Sequence, residues 1–74
     1  MRELLRTNDL VFLSWIQALL RAEGIEPAVL DSHMSVLEGS TFAIPRRVMV
    51  ADGDFRQARR VLTEFGEGAR LSPE

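Results

Sequence analysis

The sequence predicts a small α+β domain in which two helices cover one face of an antiparallel sheet. Three observations carry this prediction. Apolar residues recur at helical spacing twice, over 10–23 and again over 55–65, and a glycine follows each stretch. Shorter runs at 2–6, 25–30 and 46–51 have strand character. The resulting order is strand, helix, strand, strand, helix, with room for a short last strand at 69–71. That is the order of a split βαβ sandwich, which leaves the second sheet face open.

Each element has a local reason. Residues 2–6 (RELLR) are short and mixed and form the initial strand, in which one of Leu4 and Leu5 is expected to face outward. Thr7-Asn8-Asp9 follows, and either Asn8 or Asp9 is placed to accept a hydrogen bond from the first-turn N–H groups of a helix. In that helix Phe12, Trp15, Ile16 and Leu19 stand at i, i+3, i+4 and i+7. Gly24 is the natural left-handed stop. Pro27 has no N–H, so the strand over 25–30 belongs at an edge or carries a break. Arg46 to Ala51 is β-branched and alternating. Asp52-Gly53-Asp54 opens the second helix, where side-chain capping and the helix dipole account for the two aspartates. Phe55, Ala58, Val61, Leu62 and Phe65 then form one stripe, and Gly66 ends it. The expected domain is 1–66, followed by a polar tail over 67–74. The expected core is Phe12, Trp15, Ile16, Leu19, Val29, Val48, Val50, Phe55, Ala58, Val61, Leu62 and Phe65.

Composition removes much chemistry. The chain has 74 residues, no cysteine and one histidine, and all nine of its basic residues are arginine. Thiolate catalysis, redox pairs, zinc-thiolate sites and lysine Schiff bases are excluded. One histidine cannot supply the usual ligand set of a catalytic zinc, so neither a metal nor a cofactor is expected. A net charge of −2 gives no electrostatic footprint for nucleic acid. The apolar stretch Leu10 to Leu20 is interrupted by Ser14 and Gln17 and is too short to span a bilayer. The N-terminus lacks the region order of a signal peptide, so a cytoplasmic protein is expected.

The Asn-Asp helix entry, Glu23-Gly24-Ile25, Val29 and Asp31 are followed by Pro45-Arg46-Arg47-Val48-Met49-Val50 and a second helix carrying Ala58 and Leu62. In these features the chain resembles, over about residues 2–66, a small bacterial family described as signal-transducing and of unknown activity. That family stands beside the nitrogen-regulatory PII-like proteins, so the resemblance implies a ferredoxin-like fold. PII proteins bind nucleotide and 2-oxoglutarate at trimer clefts. They touch their targets through a long loop between strands 2 and 3. This chain is shorter, has no glycine-rich phosphate loop and has no lysine for phosphate.

Four features stand out as candidates for function. At 100° per residue, apolar side chains cover roughly 220° of the first helix, about twice what a surface helix needs. Either both flanks of this surface pack, one on the sheet and the other on the second helix or under the 31–45 segment, or a Leu13/Leu20 flank is a partner or self-association surface. On the open sheet face, Met49 is expected to point outward beside Arg47, joined by Ala28 and Leu30. On the second helix, Arg56, Arg59 and Arg60 are expected to face outward. The segment 31–45 (DSHMSVLEGSTFAIP) is long for a loop and holds Met34, Val36, Leu37, Phe42 and Ile44. It occupies the position of the PII contact loop.

The expected function is a non-enzymatic regulatory or protein-interaction module with Asp31, His33, Met34, Leu37, Ser40, Arg46 and Arg47 as contact residues. Its partner is another protein or a second copy. The alternative is a regulator that binds a small anion, a nucleotide or metabolite, through Arg46, Arg47 and the N-terminus of the second helix. An enzyme would have only His33, Ser40 and Asp31 to draw on.

Overall fold

The computed structural model describes residues 1–30 and 45–73. Its elements are β1 (Arg2–Thr7), α1 (Leu10–Ala22), β2 (Ala28–Leu30), β3 (Arg46–Val50), a 3₁₀ turn (Asp52–Asp54), α2 (Phe55–Glu64) and a 3₁₀ turn (Gly68–Arg70). The strands form one antiparallel sheet in the order β1-β3-β2. Leu71 adds a single antiparallel bridge to Leu5, and Ser72 N–H donates to the Leu4 carbonyl at 2.9 Å. This is the expected α+β, ferredoxin-like arrangement, with the last strand reduced to one bridge. Pro73 next in sequence has no N–H to extend that ladder.

β2 lies at the sheet edge and has only three residues, starting after Pro27. Ile25 to Pro27 are not strand, because they close the end of α1. Gly24 takes φ +78°, Ile25 N–H donates to the Leu20 carbonyl at 2.9 Å, and Gly24 N–H donates to Arg21 at 3.0 Å. The C-terminal carbonyls are thereby satisfied, and Ile25 and Leu20 are both buried. Gly66, at φ +81°, ends α2 in the same way, with Glu67 N–H on the Leu62 carbonyl. At the start of α1 the cap is Asp9, whose carboxylate oxygen accepts from Val11 N–H at 3.0 Å and Phe12 N–H at 3.1 Å. At the start of α2 neither aspartate makes a side-chain cap. The 3₁₀ turn intervenes, with Asp54 N–H donating to the Ala51 carbonyl, and the Asp52 carboxylate lies 3.3 Å from the Met1 amino group.

The core differs from the expected one at specific places. Leu4 and Leu5 are both fully buried. Register explains this: Glu3 pairs with Met49 and Leu5 pairs with Val48, so Leu4 is an extra residue. Directly opposed residues share a face, so Leu5 joins the buried Val48 while Leu4 faces the same way across the irregularity. Ser72 then satisfies the Leu4 carbonyl that the ladder leaves free.

On α1 the buried stripe is Phe12, Leu13, Ile16 and Leu20. Leu13 and Leu20, absent from the expected core, are inside, whereas Trp15 is 40 % exposed and Leu19 only partly buried. The helix is turned roughly 60° from the expected face at 100° per residue. Two apolar stripes overlap on this helix, and the one that meets the sheet without burying the indole N–H is the one used. On α2 the expected stripe is buried except for Phe65, which follows the last helical turn and is 54 % exposed. Val29, on the short edge strand, is half-buried. Among the described residues no helix is long and apolar enough to cross a membrane.

Candidate interaction surface

The turn of α1 moves its apolar surplus to the other flank. Val11, Trp15, Ala18 and Ala22 are all exposed and stand at i, i+4, i+7 and i+11, one line along the helix. Val11 is 81 % exposed, and Leu10, one residue before it, is 58 % exposed. The polar residues nearest this line are Ser14 and Arg21, and Arg21 turns away to bond the Glu26 carboxylate at 2.9 Å.

Aromatic contacts stiffen the strip. Trp15 lies 6.0 Å from Phe65, edge to face at 72°, and 6.0 Å from Phe12. The guanidinium of Arg70 sits 4.0 Å above the Phe12 ring. Offset and edge-on aromatic pairs add about 0.5–1.5 kcal/mol beyond area burial, so these rings hold one another in place while staying accessible. Exposed apolar continuity of this kind marks interaction sites on soluble domains. The periodicity of α1 revealed the surplus but not its side, since angular phase depends on what the sheet accepts.

Of the contact residues expected from sequence, Asp31, His33, Met34, Leu37 and Ser40 lie outside the described residues, as does all of 31–44. Arg46 and Arg47 open β3 and are half-buried. As successive strand residues they face opposite sides of the sheet. Arg46 lies opposite Thr7; Arg47 lies opposite Arg6 on one side and Leu30 on the other. The N-terminus of α2 lies beyond the far end of β3, about 20 Å from Arg46 at ~3.3 Å per residue. The structure therefore does not join Arg46, Arg47 and the α2 N-terminus into one anion site, and Asp52 and Asp54 stand where such an anion would bind.

The open sheet face carries Met49, Ala28, Leu30 and Arg47, as expected, but no residue from the Leu4–Leu5 pair. A polar network occupies its β1 edge. Glu3 accepts from Arg6 Nε at 2.9 Å and from the Ser72 hydroxyl at 2.6 Å. Burial pushes the Glu3 carboxyl up; the bonds from Ser72 and Arg6 and the charges of Arg6 and Arg47 outweigh it and hold it below the ordinary glutamate range. On α2, Arg56 and Arg60 are exposed as expected. Arg59 is instead half-buried and donates to the Ser72 carbonyl at 2.7 Å, which ties the tail to the helix.

Among the described residues, no three or more His, Asp or Glu cluster so as to hold a metal. A shallow depression at the C-terminal end of α1 is lined by Arg21, Gly24, Ile25 and Glu26, and its two charged groups pair with each other. What the domain presents is surface. Among curated proteins, none matches the chain. A family model does match, over residues 1–66, from the initial strand to the glycine that ends α2. On that match the chain belongs to the family described as "Putative prokaryotic signal transducing protein".

Proposed function

We propose that this chain is a non-enzymatic regulatory module of the cytoplasm that acts by binding another protein. The observation that carries this reading is the exposed apolar strip of α1 with Trp15 and Phe65 held against each other. A very small domain gains no stability from the apolar groups it leaves uncovered. Four aligned apolar residues on one helix face are therefore best read as a binding surface. Membership of a signal-transducing family supports a regulatory role. The segment 31–45, with Asp31, His33, Met34, Leu37 and Ser40, is proposed as a second contact element on its sequence and its position between strands, as in the PII-like proteins. Arg46 and Arg47 lie at its base. The anion-binding reading has no such support, because its parts lie at opposite ends of β3.

The test is capture of partners from native lysate on three baits: the unaltered chain, Ala18→Glu, and a chain with residues 35–40 replaced by a Gly-Ser turn. Loss of a reproducible partner on either altered bait supports the reading and tells which element makes the contact. Equal capture on all three overturns it.

A further inference from the structure

We propose that the α1 strip pairs with the same strip of a second copy of this chain, antiparallel, about a two-fold axis. The proposal rests on the reading of α1 as an interaction surface and names its occupant. The order of side chains along the strip is the reason. Reading from the helix start it runs Val11, Trp15, Ala18, Ala22: two large groups, then two small ones. Trp15 and Ala18 are equally far from the midpoint between Ile16 and Gln17, and so are Val11 and Ala22. An axis through that midpoint sets Trp15 of one copy on Ala18 of the other, and Val11 on Ala22. Each large side chain then meets a small one, four times in one isologous contact. A parallel pairing would set Trp15 on Trp15 at one end and leave alanine facing alanine at the other. The antiparallel register also opposes the two helix dipoles favourably and brings no charge into the strip.

The area is that of a weak contact. Val11, Trp15 and Phe65 are 81 %, 40 % and 54 % exposed. Each offers on the order of 100 Å². Two copies thus bury about 600 Å², below the roughly 1,000 Å² at which stable specific interfaces begin. The dimer is accordingly weak and depends on concentration.

The experiment is sedimentation of the intact chain from micromolar to millimolar concentration. It is read together with emission from Trp15, the single tryptophan in a chain without tyrosine. The expected result is a monomer–dimer equilibrium in which emission moves to shorter wavelength as dimer forms. Ala18→Glu and Val11→Glu, both at exposed sites, each weaken it at least tenfold while circular dichroism stays unchanged. Because the chain has no cysteine, a mixture of Val11→Cys and Ala22→Cys chains reports the register: oxidation is expected to link Val11→Cys to Ala22→Cys. A monomer at every concentration, a dimer indifferent to both glutamate variants, or linkage of Val11→Cys only to itself overturns the proposal. If the chain is monomeric and Ala18→Glu still loses a captured partner, self-pairing fails while the interaction surface stands. If it is monomeric and capture is unaffected by Ala18→Glu, both uses of the strip fail.

Discussion

Leu4 and Leu5 are neighbours in one strand, yet both are fully buried on the same side of the sheet. Regular alternation would expose one of them. The one-residue shift between Glu3 and Leu5 turns both inward, and Ser72 N–H occupies the Leu4 carbonyl. Leu4→Ser and Leu5→Ser are therefore expected to destabilise the domain by similar amounts. Truncating a buried leucine costs about 2–5 kcal/mol. A chain of this length holds about 4–11 kcal/mol at 0.05–0.15 per residue. Urea denaturation is expected to show both midpoints lowered by similar amounts, with the variants wholly unfolded only if the parent chain lies at the low end of that range. If one variant is nearly as stable as the parent chain, the strand alternates regularly and this account of β1 is wrong.

Asp9, and not Asn8, carries the cap of α1, with one carboxylate oxygen serving two N–H groups. Asp9→Ala is expected to cost about 0.5–2 kcal/mol, the usual range for a lost N-cap. Asn8→Ala should change stability by less than the error of a denaturation curve. Paired urea melts of the two variants decide the matter, and an equal loss in both would move the cap.

The Glu3 network should be visible in acid. Its carboxyl is held below the ordinary range when folded, so its bonds to Arg6 and Ser72 contribute fully above the unfolded glutamate pKa, about 4.3. That contribution is lost as pH falls through the lower folded value. Glu3→Gln is therefore expected to lower the thermal midpoint at neutral pH, and the gap to the parent chain should close on acidification. Thermal melts between pH 7 and pH 2 measure it. Two curves that run parallel through the acid range would show that Glu3 has no linked role.

The helices and their ends are legible in the sequence because they rest on local chemistry. Gly24 and Gly66 end both helices in the left-handed conformation that glycine reaches without a Cβ penalty. Pro27 stands just before β2, which begins only at Ala28 and lies at the sheet edge. Phe55, Ala58, Val61 and Leu62 face inward because α2 has one apolar stripe and no rival to it. The interaction surface was half legible. The excess of apolar groups on α1 can be counted in the sequence, but not which flank packs: Leu13 and Leu20 join the core, and Trp15 does not.

Residue order alone thus determined the two helices, the succession of elements along the chain and the α+β class of this domain, since capping, chain breaks and apolar period act within a few residues of themselves. Only the tertiary structure decided which way α1 turns, that Leu4 and Leu5 share a face, and that Arg46 and Arg47 stand far from the start of α2. Those three outcomes depend on register and on packing between segments distant in sequence. A period in the sequence tells that a helix has an apolar face; the sheet it meets chooses the angle. Here that choice buries Leu20 and leaves Val11, Trp15, Ala18 and Ala22 in the open.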